Sequence, residues 1–271
     1  MKRSWIVAIL ALGWLALATS AATAGEPAAP AKPEAEKPAA AEPLPSADVI
    51  EVLDKMDAAG KDLKTLRAKF DYECEQKLYE DVKKRKGDLL FSAPNLLRFE
   101  FTDKPPESFI FDGRVLHHKQ DATKQLILWE LRLPEEPPVD SLELGKTPFP
   151  LPFGQRKDAV LKHFTVTRGA KEEAADKEKR TVLVLVPRKD TELARDYAQV
   201  TLWIETKTWL PTQARLRDTN DNVVTTVVFH HIETNKDVDA KQFARPNVPQ
   251  DWEIVAHPKE GGKSALPTEK P

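Results

Sequence analysis

Apolar side chains occupy every second position in a series of short segments, and this period of two constrains the fold more than any other feature. From Leu66 to Cys74, apolar residues alternate with charged ones, which is the pattern of a strand with one face in water. Shorter runs of the same kind follow, and turn signals such as Asp112-Gly113 separate several of them. Consecutive short strands joined by tight turns indicate an antiparallel meander rather than alternating β–α units.

The pattern predicts eleven strands. They span residues 66–74, 88–91, 96–101, 108–111, 114–119, 125–131, 164–168, 181–186, 199–205, 212–217 and 223–232. A sheet with this many strands tends to curl or to close on itself. Before the first strand, apolar residues three and four positions apart predict an amphipathic helix from Ser46 to Ala59, with Gly60 as its stop.

Four segments divide the chain of 271 residues. Residues 1–24 combine a basic start, an apolar run and a closing Ala-Thr-Ala, which is typical of a secretory signal cleaved near Ala24. Residues 25–45 consist mainly of Ala, Pro, Glu and Lys, and we expect a disordered tether. Residues 46–258 then form one domain, and 259–271 a disordered tail. The signal predicts a periplasmic protein.

Motifs for catalysis or metal binding are missing from the sequence. His117-His118 and His230-His231 are adjacent pairs on predicted strands, where neighbouring side chains face opposite sides and cannot share one metal ion. No Gly-x-Ser-x-Gly, Cys-x-x-Cys or phosphate-binding loop occurs, and Cys74 is the only cysteine. The net charge of −2 offers no basic surface for nucleic acid. We therefore expect no enzyme, no cofactor, no metal and no nucleic-acid partner.

The aromatic residues of the central strands admit two interpretations. In residues 96–101, Leu97, Phe99 and Phe101 share one side of the strand, while Arg98 and Glu100 require water on the other. These side chains either fill the core of a closed sandwich or line an apolar cavity. Periodicity alone favours the packed core.

A resemblance to a known family changes this balance. The residues that carry it begin with Gly87-Asp88-Leu89, continue with Pro94-Asn95 and reach the turn Asp112-Gly113-Arg114 with Leu116. Residues 146–149, Lys-Thr-Pro-Phe, and the order of the later strands up to about Val255 extend the match. Together they resemble the LolA-type lipoprotein carriers of the periplasm.

This resemblance implies a mainly β fold with a few helices: an open, strongly curved antiparallel half-barrel whose helices cover a concave, apolar face. It also implies a non-enzymatic carrier for an acylated lipoprotein or another lipid, with an inner-membrane release complex and an outer-membrane acceptor as partners. The residues expected to line the lipid-binding cavity are Leu53, Met56, Leu97, Phe99, Phe101, Phe109, Phe111, Leu202 and Ile204.

The chain departs from the family pattern at the expected mouth of the cavity. The family's carriers have an arginine before the Pro-Asn pair that clamps the lid, and here that position is Ala93. Prolines interrupt the lid segment, so we expect a lid helix only near 155–163, with Phe149 and Phe153 covering the mouth. These departures leave open an alternative, in which the scaffold senses lipids or lipoproteins or binds a protein partner and carries nothing.

Overall fold

One sheet of twelve strands organises the residues that the computed structural model describes, namely 45–137, 152–170, 179–261, 264 and 266. The strands are β1 Thr65–Gln76, β2 Asp81–Ser92, β3 Leu96–Phe101, β4 Glu107–Phe111, β5 Val115–Gln120, β6 Gln125–Glu130, β7 Phe164–Arg168, β8 Arg180–Pro187, β9 Tyr197–Glu205, β10 Pro211–Asp218, β11 Val223–Thr234 and β12 Glu253–His257. Their spatial order is β12-β6-β5-β4-β3-β2-β1-β11-β10-β9-β8-β7, and the end strands do not pair. The prediction of an open, mainly β fold is confirmed.

The strand pairs are antiparallel with one exception. β12 lies parallel to β6, with Glu253 opposite Gln125 and His257 opposite Trp129. The apolar pattern did not predict β12, because its apolar run is only three residues long, Ile254 to Ala256. β2 also begins earlier than predicted, at Asp81, and its first half pairs with β1 through the backbone and through exposed ion pairs such as Lys84 with Glu73. Strand pairing of this kind leaves no trace in an apolar pattern.

Three helices accompany the sheet in the described part of the chain. They are α1 Ala47–Asp62, α2 Lys157–His163 and α3 Leu193–Asp196. α1 begins where it was predicted, but the predicted stop at Gly60 is wrong. The helix passes through Gly60 and ends when Leu63 turns extended and donates its backbone N–H to the Gly60 carbonyl. α2 lies within the segment in which a lid helix was expected.

The sheet buries side chains on both faces. On the face that includes Leu90 and Ile110, the C-terminal segment adds Phe243 to one cluster. Leu266 joins a second cluster with Val115, Leu126 and Leu128. Lys259 pairs with Glu136, so part of the predicted tail is packed. We call this side the convex face. The predictions for residues 1–44 and for Phe149 lie outside the described residues.

Gly87 lies where β2 begins to pair with β3, at a position where a side chain does not fit. A Cβ atom placed on it would lie 2.3 Å from the Phe70 ring and 2.1 Å from the Glu100 carbonyl oxygen. The missing side chain lets Phe70 lie across β2 and stack on Phe99, with ring centroids 3.8 Å apart. Phe101 meets the edges of both rings. The glycine therefore permits an aromatic cluster that spans β1 to β3.

We expect Gly87→Ala to lower the free energy of unfolding by at least ~2 kcal/mol, because the new methyl group collides with backbone as well as with a ring. Urea unfolding monitored by fluorescence gives this value. Lys86→Ala, whose side chain is exposed on the neighbouring position, serves as the control and should change stability by no more than ~0.5 kcal/mol. An equally small effect for Gly87→Ala would contradict the role given to the glycine.

Candidate functional site

The strand register places all the predicted cavity residues of the sheet on one face. Phe99 lies between Leu89 and Phe109, and Leu97 lies opposite Phe111. At the other half of the sheet, Leu202 lies between Ala214 and Leu183. We call this side the apolar face. Its role in binding a ligand stays a prediction, whereas the shared orientation follows from the pairing.

Helix α1 covers one half of the apolar face. Its four buried side chains lie on one stripe of the helix, as the sequence pattern predicts. They form one cluster with residues of β7 to β10, of α2 and of α3. The cluster contains Val49, Val52, Leu53, Met56, Val160, Phe164, Val166, Leu183, Leu185, Leu193, Val200, Leu202, Ile204, Ala214 and Leu216. Leu53 and Met56 thus belong to the same cluster as Leu202 and Ile204, whereas the phenylalanines of β3 and β4 are not members of it.

Hydrogen bonds and ion pairs hold α1 in place, and one ion pair joins Asp48 in its first turn to Arg168 of β7. At its C-terminal end, the Asn235 side chain donates to the Asp62 carbonyl at 3.0 Å and accepts from the Lys64 backbone N–H at 2.8 Å. Asn235 directly follows β11, so the helix exit is fixed to the middle of the sheet. Along its length, α1 contacts α2 through ion pairs.

Asp57 is the centre of these ion pairs. Its carboxylate accepts from Arg156 Nε at 2.9 Å and from the Lys157 backbone N–H at 3.3 Å, and it also pairs with Lys61. Asp54 pairs with Lys157 Nζ at 2.5 Å. Arg156 offers α2 no side-chain cap, so Asp57 satisfies an N-terminal N–H of α2 from another helix. We call Asp54, Asp57, Arg156 and Lys157 the helix latch.

Ala93 and Phe153 are the two residues of the predicted mouth that the structure describes, and their surroundings differ. Ala93 is exposed in the turn between β2 and β3, and its N–H donates to the Lys64 carbonyl. Phe153 is buried before α2, and its ring meets the edge of Phe229 on β11, with centroids 4.9 Å apart. Phe153 therefore makes a structural contact with the sheet, and its role at the mouth of a cavity stays a prediction.

A charged cluster interrupts the apolar face at one end, and the sequence analysis missed it. Arg85 is buried and donates to Asp103, to the Pro105 carbonyl and to Glu107 Oε2 at 2.5 Å. Glu107 Oε1 lies 2.6 Å from His118 Nε2. Burial opposes the ionisation of Glu107, but His118 and Arg85 outweigh it and hold the pKa of that carboxyl below its usual value. The sequence contained a signal for this cluster, because His118 lies two positions after Leu116 and therefore on the same, apolar side of β5.

The histidines do not gather around a metal site. His117 and His118 face opposite sides of β5 and contact different carboxylates, Asp112 and Glu107. His230 pairs with Asp71 on the polar side of β11. Within the described ranges, no group of three or more His, Cys, Asp or Glu side chains is arranged to hold a metal ion.

Comparison with known proteins gives one family match. The family model described as outer membrane lipoprotein carrier protein LolA matches residues 61–246. No protein in a curated collection matches the chain.

Solved structures with a similar fold share little sequence with this chain. An uncharacterized conserved protein from Thermus thermophilus is 13% identical over 78% of this chain and 99% of its own, with a TM-score of 0.45. A LolA superfamily protein from Nitrosomonas europaea is 12% identical over 73% of this chain and 97% of its own, at 0.38. The Pseudomonas aeruginosa MucA/MucB complex matches at 13% identity over 75% of this chain and 64% of that one, at 0.41.

We expect Asp57→Ala to lower the free energy of unfolding by about 1–2 kcal/mol at pH 7, because it removes a cap and a charged partner together. Asp54→Ala is the matched control one turn earlier. Its carboxylate is half exposed, so its loss should matter less than ~0.5 kcal/mol. Urea unfolding of both variants measures the difference, and equal effects would argue against a central role for Asp57.

The pH dependence of the same contact follows from the charge of Asp57. Burial opposes its ionisation, but the Lys61 and Lys157 hydrogen bonds and the Arg156 charge outweigh this and lower its pKa below the ordinary 3.8. A carboxyl with a lowered folded pKa stabilises fully above the unfolded pKa and less as pH falls through the folded one. The gap between wild type and Asp57→Ala should therefore be constant from pH 7 to about pH 5 and shrink below about pH 4.

Proposed function

The chain belongs to the family of LolA outer membrane lipoprotein carrier proteins, whose model matches residues 61–246, and we propose that it carries lipoprotein acyl chains through the periplasm. In this proposal the protein is not an enzyme. It binds the acyl chains in an apolar cavity on the apolar face and moves them toward the outer membrane.

The observation that carries the proposal is the continuity of the apolar face. Buried apolar side chains follow one another from Leu116 on β5 to Val166 on β7, across ten strands of a sheet that does not close. α1 covers only part of this surface with its own cluster. Each CH₂ group removed from water contributes ~0.8 kcal/mol, so a lipid-modified protein needs a cover of this kind in an aqueous compartment.

The remaining parts of the proposal come from the sequence and the family. Residues 1–24 direct the chain to the periplasm and are removed near Ala24, and residues 25–45 form a tether. An inner-membrane complex supplies the cargo and an outer-membrane acceptor takes it. No helix in the described ranges is long and apolar enough to cross a membrane.

The helix latch takes the place of the arginine clamp in this proposal. Ala93 has no hydrogen-bonding side chain, whereas Asp57 of α1 accepts from two donors at the start of α2, Arg156 Nε and the Lys157 backbone N–H. We infer that loading requires α2 to separate from α1, so that the cover over Leu202 and Ile204 opens. The cavity is then lined by Leu53, Met56, Leu97, Phe99, Phe101, Phe109, Phe111, Leu202 and Ile204.

A groove on the convex face favours the second candidate, a protein-interaction module. Its volume is about 570 Å³, and its walls include Arg67, Lys69, Arg98, Glu100 and His231. Charged walls of both signs suit a polar protein surface better than an acyl chain. In this alternative the apolar face is an ordinary core, and the partner binds outside it.

Native mass spectrometry of the protein isolated from its own periplasm separates the two candidates. The carrier proposal predicts a bound species that carries acyl chains and leaves when the sample is treated with detergent. The interaction module predicts a bound protein without acyl chains. Recovery of the second species alone would overturn the carrier proposal.

We also expect Asp57→Ala to exchange a fluorescent fatty-acyl probe several-fold faster than wild type, because the lid opens more often when the latch loses about 1–2 kcal/mol. Stopped-flow displacement of the probe measures the rate. Arg67→Ala, on the convex groove, is the control and should leave the rate unchanged. If Arg67→Ala accelerates exchange and Asp57→Ala does not, the probe binds at the groove and the latch does not gate it.

A further inference from the structure

His118 has an unusual position for a polar side chain, because it is fully buried on the apolar face. Its ring stacks on Phe109 of β4 with centroids 3.9 Å apart, and Trp129 of β6 lies 5.7 Å away at an angle of 21°. Aromatic rings from both neighbouring strands therefore flank the imidazole. Only the edge of the ring remains for polar contacts.

Nε2, one of the two ring nitrogens, already has a hydrogen-bond partner. Nε2 lies 2.6 Å from Glu107 Oε1, and the other oxygen of Glu107 accepts from Arg85. The two basic partners keep Glu107 ionised, so the carboxylate can only accept. The shared hydrogen must then reside on Nε2. In the singly protonated form of the ring, this leaves Nδ1 as a hydrogen-bond acceptor.

Nδ1 is the other edge atom, and it is buried without a hydrogen-bond partner among the described residues. The Tyr72 hydroxyl, on the same face, is also buried without a hydrogen-bond partner among the described residues. Tyr72 lies opposite Arg85 in the register of β1 and β2. Burial raises the pKa of Tyr72, so its hydroxyl keeps its proton. Buried polar groups in folded proteins are nearly always paired, so an unpaired atom needs an explanation.

We propose that His118 Nδ1 is a polar subsite of the lipid cavity, where it accepts a hydrogen bond from an N–H or O–H group beside the ligand's acyl chain. This inference rests on the proposed carrier function. Two sources supply such a donor: the amide of an N-acylated peptide and the free hydroxyl of a partly acylated glycerol. A simple ester has no donor and leaves Nδ1 unpaired.

The direction of the contact follows from Glu107. If Nδ1 donated instead, it could bind the carbonyl oxygen of an amide or of an ester, and the site would not discriminate between them. As an acceptor it discriminates between them, because a site built around a buried hydrogen-bonding group rejects an analogue that cannot complete the bond. His118 is fully buried here, so the ligand reaches it only when the side chains around it move apart. Phe109, whose ring stacks on His118, is one of the residues that line the cavity in the carrier proposal.

Three probes with the same twelve-carbon acyl chain test the inference: N-methyl dodecanamide, monododecanoylglycerol and methyl dodecanoate. Their affinities are measured by displacement of a fluorescent acyl probe at pH 8. We expect the wild type to bind at least one donor-bearing probe about tenfold more tightly than the ester. The tighter of the two donor-bearing probes identifies the source of the donor.

His118→Phe and His118→Met remove the acceptor while keeping an apolar side chain, and either variant suffices if the other does not fold. Both should bind the amide and the ester within about twofold of each other. His117→Phe is the matched control. His117 lies on the convex face, its Nε2 contacts a different carboxylate, that of Asp112, and its Nδ1 is likewise buried without a partner among the described residues. It should keep the wild-type preference.

The outcomes separate this inference from the carrier proposal. Equal binding of all three probes by wild type would refute the subsite and leave the carrier proposal standing. A preference that survives in both His118 variants would also refute it. Failure of wild type to bind any probe would count against the carrier function and, with it, against the subsite.

Discussion

An open sheet with one continuous apolar face must bury that face, and the rest of the structure depends on this requirement. A closed barrel would bury it inside, and a second sheet would cover it in a sandwich. Here β12 and β7 do not meet, so the cover comes from outside the sheet. α1 and α2 supply it over β7 to β10, and their hydrophobic stripes are explained by that task. A cover made of helices can separate from the sheet without breaking any strand pairing.

The sequence predicted the parts of the fold that depend on alternation. β3 and β7 were found with their observed bounds, because a half-exposed strand alternates apolar and polar residues throughout. β12 and the first half of β2 were not found, since their side chains carry little periodic apolar signal. Backbone hydrogen bonds and polar pairs such as Gln125 with Glu253 and Lys84 with Glu73 hold them. Gly60 failed as a helix stop because Leu63 supplies the extended residue that ends the helix.

The candidate site was predicted less completely, and the reason is long-range contact. The parity of Leu97 and Phe99 is a local property of one strand, and it placed them correctly relative to each other. The helix latch joins Asp57 to residues about a hundred positions later, and nothing local distinguishes Asp57 from other exposed acids. The same holds for Arg85, whose partner Glu107 comes from two strands further on. Charge pairs of this kind become visible only when the topology is known.

The hydrogen bonds of Asn235 give α1 a fixed point at its C-terminal end. The helix is fixed to the sheet at its exit, while the ion pairs to α2 act farther along it. A helix of 16 residues is ~24 Å long, so a rotation of ~20° about the fixed end would move its first turn by ~8 Å. In the opening that the carrier proposal requires, such a rotation would move the N-terminal end, near Val49, most and would leave the side chains next to Leu63 almost still. A small change of angle at Asn235 would thus determine how far the other end of the helix moves from the sheet.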